Sequence, residues 1–210
     1  QAPPPHRRRS RLRRLRPLTV GAYGYFASRV LLPLWRDLQA THPDLIVDLH
    51  TSSNPLDLVP GRYDAVIAVS DAAPRSGLIT HQLVPIATVP VCAPQWLARG
   101  APDFAKVPLL HARPRPDDWR RWLNHARLGS VAVPGGCSFE SISLAIEAAA
   151  AGLGFAIAIE AMLGPDLAHG GIVMAHKTVR PTRRHFVLQF ETRLADDPSL
   201  TALALWLRER

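Results

Sequence analysis

One device recurs along this chain and constrains its fold: an apolar strand runs directly into a turn of small and hydroxyl-bearing residues that opens a helix. Residues 18–28 (Leu-Thr-Val-Gly-Ala-Tyr-Gly-Tyr-Phe-Ala-Ser) are the first example, and residues 136–141 (Gly-Cys-Ser-Phe-Glu-Ser), ahead of an alanine-rich helix, are the second. Helix N-termini expose unpaired N–H groups and partial positive charge, which suit carboxylates, phosphates and other small polar ligands. The pattern therefore predicts a domain that holds a small molecule.

The positive charge of the chain is concentrated at its start. The formal net charge is +8, and residues 1–16 carry seven arginines and no acidic residue, so the remaining chain is nearly neutral. Such a polar, proline-rich stretch cannot bury enough apolar surface to pack. The preferred interpretation is a linker remnant, and the alternative is a basic arm that touches nucleic acid or an anionic membrane. The stretch has no apolar segment of the kind a signal peptide requires.

The length and composition allow a substantial core and argue against a membrane span. With 210 residues, 47% of them apolar, the chain can form one domain or two small lobes. Residues 142–164 are long enough to cross a bilayer, but they contain Glu147 and Glu160. The Gly-Leu-Gly break at 152–154 splits the segment into a helix, for which it supplies the C-cap, and a buried strand. We expect no membrane association.

The two cysteines, Cys92 and Cys137, do not form a C-x-x-C pair. They are interpreted as reduced packing residues of a cytoplasmic protein, with a single disulfide as the alternative.

Hydrophobic patterning predicts alternating strands and helices. The predicted strands cover residues 18–22, 45–51, 63–69, 78–83, 87–93, 130–133, 155–159 and 184–190. The predicted helices cover residues 26–40, 94–99, 118–127, 139–151 and 198–208, and Asp197 and Pro198 are a strong start signal for the last of these. This alternation predicts an α/β fold with mostly parallel sheets.

Two of the predicted helices have different apolar faces. Helix 26–40 carries one apolar stripe, whereas helix 139–151 leaves only a narrow polar stripe of Glu140, Ser143 and Glu147. A helix as apolar as 139–151 is either enclosed in the core or faces a second subunit.

No catalytic pattern is present in the sequence. It contains no G-x-S-x-G elbow, no Walker loop, no H-E-x-x-H and no G-x-G-x-x-G that opens a helix after the first strand. The nine histidines are scattered without the spacing of metal ligands. The sequence therefore predicts that the chain is not an enzyme and that it carries no cofactor and no metal site.

A series of short segments resembles one known family. These are Leu-Thr-Val-Gly at 18–21, Phe-Ala-Ser-Arg at 26–29, Leu-Pro-Leu at 32–34, Leu-Gln-Ala-Thr-His-Pro-Asp-Leu at 38–45, Asp-Ala-Val-Ile-Ala at 64–68, Val-Pro-Val-Cys-Ala-Pro at 89–94, Trp-Arg-Arg-Trp-Leu at 119–123, Ser-Leu-Ala-Ile-Glu-Ala-Ala-Ala-Ala-Gly-Leu-Gly at 143–154, Ala-Asp-Asp-Pro at 195–198 and Trp-Leu at 206–207. Their order and spacing resemble the effector-binding domain of LysR-type transcriptional regulators over about residues 17–210. The similarity is greatest to the branch that contains the glycine-cleavage activator and the β-lactamase regulator.

The resemblance implies a periplasmic-binding-protein-like fold with two α/β lobes and two crossover strands, near 88–92 and 190–192. Lobe I would comprise 17–87 and 193–210, and lobe II would comprise 88–192. A small-molecule effector would bind in the cleft, in agreement with the location of ligands beyond the carboxyl ends of strands in open α/β sheets.

The resemblance also implies which residues line the pocket. They are Tyr23, Gly24, Tyr25, Phe26, Thr51, Ser52, Val69, Ser70, Ser138, Phe139 and Thr192. Hydroxyl and helix N–H groups would hold a carboxylate, while the aromatic rings would cover an apolar part of the ligand. Ser138 has an alternative interpretation as a helix N-cap that needs no ligand.

The family resemblance implies a homodimer in which helix 26–40 of one subunit packs against helix 139–151 of the other.

Residues 1–16 are too short to be the family's winged helix-turn-helix, so we expect a truncated regulator that touches DNA at most weakly, through the basic arm. An exported solute-binding protein with the same fold is the competing class, and the missing signal segment disfavours it. An enzyme on a similar scaffold lacks a nucleophile, a base or a cofactor loop in this sequence.

Overall fold

The computed structural model describes residues 15–71, 73–98, 100–129 and 136–209. The predicted strand at 130–133 and residues 1–14 of the basic stretch lie outside this range. None of the helices within it combines the length and the apolar character that a membrane span requires.

The described strands form one mixed sheet. They are β1 (Leu18–Tyr23), β2 (Val47–Ser52), β3 (Ala65–Ser70), β4 (Leu78–Cys92), β5 (Leu109–Ala112), β6 (Ser138–Phe139), β7 (Phe155–Ile159), β8 (Val173–Met174) and β9 (Arg180–Glu191). Their order is β2-β1-β3-β9-β4-β7-β5-β6, with β8 paired beside β4. Long strands β4 and β9 run between the two halves and are the two crossover strands of the expected fold.

The prediction of mostly parallel sheets is wrong at the centre of the molecule. β1 is parallel to β2 and β3, and β5 is parallel to β6 and β7, but β9 is antiparallel to β3 and β4. The sequence predicts two strands over the range of β4, at 78–83 and 87–93. The chain instead continues through this region with register shifts between Gln82 and Val84 and between Pro85 and Ala87. Bulges of this kind accommodate residues that would break a regular ladder.

The first predicted helix is composed of three pieces. A short helix α1 (Gly24–Phe26) leads into a π-helical turn (Ala27–Leu31) and then into α2 (Leu32–Thr41). Pro33 has no N–H and its ring conflicts with the carbonyl one turn back, at Arg29, so regular α-helical bonding cannot pass through this point. The N–H of Leu32 bonds instead to the carbonyl of Ala27, five residues back. Such π turns often occur at functional sites.

The remaining helices are α3 (Asp118–His125), α4 (Ile142–Ala150), α5 (Gly164–Ala168) and α6 (Pro198–Arg208), with 3₁₀ turns at Pro55–Asp57, Pro94–Leu97, Glu160–Met162 and Thr192–Leu194. The bounds and the cap predicted for α6 are confirmed, because the Asp197 carboxylate accepts hydrogen bonds from the N–H groups of Ser199 at 2.9 Å and Leu200 at 3.2 Å.

The predicted start of the alanine-rich helix at Phe139 is wrong. Ser138 and Phe139 form strand β6, which pairs in parallel with His111 and Ala112 of β5. The helix cap is Ser141, whose hydroxyl accepts a hydrogen bond from the N–H of Leu144 at 3.2 Å. The sequence contains two candidate cap serines three residues apart, Ser138 and Ser141. Only the pairing with β5 shows that Ser138 belongs to a strand.

The predicted C-cap of the alanine-rich helix is confirmed at Gly152. This glycine has a φ of +84°, and the N–H of Leu153 donates to the carbonyl of Ala148 at 3.0 Å. That arrangement is the usual way in which a left-handed glycine closes a helix.

Two apolar clusters form the core. The larger one contains residues of β1, β3, α4 and α6, so the helix with the narrow polar stripe is largely a core helix. The smaller one is aromatic and holds α3 in place. In it, Phe104 lies 5.3 Å from Trp122 between ring centroids. The indole N–H of Trp119 donates to the Leu110 carbonyl at 2.9 Å and that of Trp122 to the Thr178 carbonyl at 3.0 Å.

Cys92 is buried and Cys137 is exposed, and both are free thiols, so the disulfide alternative is not realised. Burial raises the pKa of the Cys92 thiol to about 11. This thiol is a packing group and is not an activated nucleophile.

Candidate functional site

A cavity of about 490 Å³ lies where the carboxyl ends of the parallel strands meet the start of α4. Its wall is contributed by the turn after β1, the loop after β2, the end of β3, the loop after β5, the first turns of α4 and the middle of β9. The lining residues are Tyr23, Gly24, Tyr25, Ser28, Arg29, Ser53, Pro55, Val69, Pro114, Arg115, Pro116, Asp117, Asp118, Arg121, Ser141, Ile142, Ser143, Glu147, Arg184 and Phe186. This is the region in which open α/β sheets bind ligands.

Tyr25 lines this cavity, and its hydroxyl is buried. Its side chain is 5% exposed, and among the described residues the hydroxyl has no hydrogen-bond partner, although it approaches the backbone of Ile159. Burial raises the pKa of the Tyr25 phenol well above its usual range. A buried hydroxyl without a partner carries a desolvation cost, which a polar ligand atom or a water molecule would relieve.

Aromatic rings form the apolar floor. Tyr23 meets Phe186 edge to face, with ring centroids 6.2 Å apart, and Phe26 lies behind Phe186 at 5.0 Å. Burial raises the pKa of the Tyr23 phenol, while the positive charges of Arg115 and Arg184 act in the opposite direction. Both arginines are therefore near enough to Tyr23 to influence its charge.

The loop after β5 forms a charged rim. Arg115 donates from two nitrogens to the Asp118 carboxylate, at 2.6 and 3.1 Å. Asp117 pairs with Arg120 at 2.8 Å and with Arg121 at 3.2 Å, and the hydrogen bond from Arg120 is the main reason why the pKa of Asp117 lies below its usual value. Asp117 also directly precedes α3, where a carboxylate complements the positive end of the helix dipole.

An ion pair beside Tyr25 joins the π-helical turn, where Arg29 lines the cavity, to helix α5. Arg29, on the π-helical turn, donates to Asp166 of α5 at 2.8 Å. The Arg29 guanidinium also lies 5.8 Å from the centroid of the Tyr25 ring. The hydroxyl of Ser28 donates to the Tyr25 carbonyl at 3.2 Å and so braces the turn.

Four of the residues assigned to the pocket by resemblance line this cavity: Tyr23, Gly24, Tyr25 and Val69. Their role in ligand binding stays a prediction. Gly24 leaves its surroundings open, because a Cβ added there would meet nothing within 4 Å.

The other assigned residues lie outside the lining. Phe26 is buried in the core beneath the floor, and the Ser52 hydroxyl donates to Asp57 at 2.7 Å, so that Ser53 and Pro55 line the cavity in place of Thr51 and Ser52. The Ser70 hydroxyl donates to Asp71 at 3.3 Å. Ser138 and Phe139 belong to β6 at the edge of the sheet. Thr192 directly follows β9, and its N–H donates to the Gly77 carbonyl at 2.9 Å. It is six residues beyond Phe186, which corresponds to roughly 20 Å of extended chain.

The charged lining residues were not found from the sequence. The sequence pattern does not predict strand β5, which is only four residues long. The loop that carries Arg115 is therefore not predicted to end at the ligand-binding edge of the sheet. The signal was present as a Leu-Leu-His-Ala run at 109–112 followed by the turn residues Pro114 and Pro116. Ser143 and Glu147 belong to the polar stripe already noted on the alanine-rich helix and line the cavity, whereas Glu140, the third residue of that stripe, lies outside the lining. Within the described ranges no three His, Cys, Asp or Glu side chains are grouped so as to hold a metal ion.

The fold and the cavity define the class: a two-lobed, periplasmic-binding-protein-like domain. A family model described as the LysR substrate binding domain matches residues 13–210. The chain therefore belongs to the LysR substrate-binding domain family, as the order of its motifs indicated.

The relatives are transcriptional regulators. The HTH-type transcriptional regulator TrpI of Pseudomonas aeruginosa is 32% identical over 200 residues, which cover 92% of this chain and 67% of TrpI. The glycine cleavage system transcriptional activator of Escherichia coli is 25% identical over 195 residues, or 90% of this chain and 63% of the activator. The chain thus spans about two thirds of the length of the curated relatives it matches.

The X-ray structure of the effector domain of AmpR of Pseudomonas aeruginosa is similar, with a TM-score of 0.80 at 29% identity over 92% of this chain and 94% of that domain. This confirms the expected fold and the expected branch. The domain is a regulatory one and not an enzyme, because the family model and the similar proteins are regulatory.

Proposed function

We propose that this chain is the effector-binding and dimerisation domain of a LysR-type transcriptional regulator and that it binds a small carboxylate-bearing molecule in the cavity described above. The observation that carries the proposal is the cavity itself, at the carboxyl ends of the strands and lined from both halves of the molecule. Its volume of about 490 Å³ falls within the range of small-molecule sites.

Three features of the wall favour a carboxylate. Arg184 contributes a cation, and the first turn of α4, with Ser141 and Ser143, contributes hydroxyls beside the positive end of a helix. Hydrogen bonds between charged partners are stronger than neutral ones. Tyr23, Phe186 and Val69 would cover an apolar part of the same molecule.

A signal requires that the effector bind one arrangement of the two halves better than another. Lining residues on both sides of the cavity make this possible: Tyr23 is the last residue of β1 and Arg29 lies on the π-helical turn, whereas Ser143 and Glu147 belong to α4. A bound effector that contacts both sides would favour the arrangement in which they are close.

We propose a homodimer in which α2 of one subunit faces α4 of the other, as the family resemblance implies. Exposed apolar side chains on both helices support this: Leu32 on α2 is 59% exposed and Leu144 on α4 is 40% exposed, with Ile46 beside β2 at 61%. Covering such side chains with a second subunit would remove apolar surface from water.

We propose that specific DNA recognition in the full regulator comes from a helix-turn-helix module and not from the domain described here. The relatives are named as HTH-type regulators, and this chain matches about two thirds of their length. A regulator that acts on DNA in this way would work in the cytoplasm.

The test is a thermal-shift screen of the 210-residue chain against small carboxylates, amino acids, aromatic acids, phosphate esters and cell-wall muropeptides. We expect at least one compound to raise the unfolding midpoint in a dose-dependent way, because a molecule that binds only the native state stabilises it. The shift should be smaller in Tyr23→Ala and unchanged in Ser138→Ala, whose exposed side chain lies outside the lining. A screen in which no class of compound shifts the midpoint would contradict the proposal.

A further inference from the structure

The charges around the cavity do not all have partners. Seven of its lining side chains are charged, and five of them are in ion pairs: Arg29, Arg115, Arg121, Asp117 and Asp118. The other two are Arg184 and Glu147, and neither makes an ion pair or a side-chain hydrogen bond within the described part of the chain. Judged on the described residues, the cavity therefore offers one unpaired cation, Arg184, and one unpaired anion, Glu147.

The two unpaired groups sit on different elements. Arg184 lies on crossover strand β9, two residues before Phe186, and both residues line the cavity. Glu147 lies on α4, one helical turn after Ser143 on the same face of that helix. Arg184 also acts on Tyr23 electrostatically, which places its charge close to the aromatic floor.

A ligand with a single charge suits only one of these groups. A simple carboxylate would pair with Arg184 but would bring a second negative charge into the cavity that holds Glu147. An amine alone would meet the converse problem at Arg184. A molecule with one carboxylate and one ammonium group compensates both, and unsatisfied or like charges are the usual means by which a site rejects analogues.

We infer that the effector is a zwitterion with an apolar side chain: an amino acid or a short peptide whose carboxylate pairs with Arg184 and whose ammonium pairs with Glu147. This inference rests on the proposed function, since it assigns the chemistry of the same cavity. The apolar side chain would lie against Tyr23 and Phe186. The cavity, at about 490 Å³, has room for an aromatic amino acid or a dipeptide.

The first experiment compares matched compounds on the unaltered chain by isothermal titration calorimetry. The probes are L-phenylalanine, L-leucine and glycyl-L-phenylalanine, with 3-phenylpropionate as the analogue without the ammonium group and phenethylamine as the analogue without the carboxylate. We expect a zwitterion to bind roughly tenfold more tightly than either analogue. The dipeptide distinguishes the two spacings of charge, because its termini are further apart than those of a free amino acid.

The second experiment removes each charge. In Arg184→Gln the affinity for the zwitterion should fall roughly tenfold and become equal to the affinity of the same variant for phenethylamine. In Glu147→Gln it should fall by a similar factor and become equal to that for 3-phenylpropionate. Arg183→Gln and Glu140→Gln are the matched controls, because both residues are exposed neighbours outside the lining, and they should leave all affinities unchanged.

The outcomes separate this inference from the proposed function. Equal affinity for L-phenylalanine and 3-phenylpropionate, or tighter binding of carboxylates in Glu147→Gln without loss of the zwitterion, would overturn the zwitterion assignment. If no zwitterion binds while simple carboxylates or phosphate esters shift the midpoint in the wider screen, the zwitterion assignment is wrong and the proposed effector-binding function stands. If no compound in the wider screen binds, both the assignment and the proposed function are contradicted.

Discussion

The Nε atom of Arg29 donates to the Asp166 carboxylate at 2.8 Å and joins the π-helical turn after β1 to helix α5, which follows β7. The two side chains are 18% and 21% exposed, so solvent screens the pair only in part. Arg29 also lines the cavity. This ion pair therefore ties together two parts of the chain that meet beside the proposed effector site.

A double-mutant cycle on this pair should give a measurable coupling. We expect Arg29→Ala and Asp166→Ala, alone and combined, to report about 1 kcal/mol of coupling in the free energy of unfolding measured with urea, since the pair is partly buried. Lys106 and Asp103 serve as the control pair, because their side chains are 82% and 54% exposed. Additive effects at Arg29 and Asp166 would show that the ion pair does not hold the two segments together.

Removing the Tyr25 hydroxyl should not destabilise the free chain. The hydroxyl is buried and has no hydrogen-bond partner among the described residues, so Tyr25→Phe removes a desolvated polar atom without the loss of a hydrogen bond seen there. We expect the free energy of unfolding to change by less than about 1 kcal/mol, or to rise, whereas Tyr25→Ala should lower it by about 3 kcal/mol through lost packing. A loss above 1 kcal/mol in Tyr25→Phe would mean that the hydroxyl is bonded in the folded chain.

Asp64 should stabilise the fold in a pH-dependent way. Burial raises its pKa, but hydrogen bonds from Arg16 and Thr19 outweigh burial and leave the pKa below its usual value of 3.8. A lowered pKa in the folded state means that the stabilisation is present above about pH 4 and is lost as the pH falls through the folded value.

Urea unfolding from pH 7 down to pH 3 measures this effect. Asp64→Asn should cost about 1 kcal/mol at pH 7, and its difference from the parent chain should shrink below pH 4. Asp44→Asn is the control, because Asp44 is exposed and makes no ion pair within the described ranges. A difference that stays constant down to pH 3 would contradict an ionic contribution from Asp64.

Gly154→Ala should be strongly destabilising for a reason separate from helix capping. Its φ is +155°, and an added Cβ would lie against the Pro108 carbonyl and 2.9 Å from the Pro108 Cβ. We expect a loss of about 2–4 kcal/mol, because backbone atoms cannot move aside cheaply. Gly164→Ala is the matched control, as nothing lies within 4 Å of a Cβ there. Similar melting temperatures for the two variants would refute the close approach of Gly154 to Pro108.

The local elements were the part of this structure that could be predicted. Strand Phe155–Ile159 and helix Pro198–Arg208 have the predicted bounds, and the Asp197 cap and the Gly152 C-cap are where the sequence placed them. The sequence predicts two strands in place of β4. The bulges that make it one strand are stabilised by pairing with β9, which no local pattern reveals.

The candidate site was predictable only where it follows directly from a strand. Tyr23 ends β1, and Gly24 and Tyr25 begin α1 directly after it, so these residues lie at the sheet edge where ligands bind. Arg184 gave no such signal, because its place at the cavity depends on β9 crossing between the halves.

The sequence by itself determined the bounds of β7 and α6 and the cap of α6, since hydrophobic period, caps and proline act over a few residues. It also determined the family, through the order of its motifs. Only the tertiary structure decided which charges come together: Arg29 pairs with Asp166, 137 positions away, and Arg184 and Glu147, on separate elements, line the same cavity. Ion pairing depends on distances between atoms, and for residues so far apart those distances exist only once the sheet has formed.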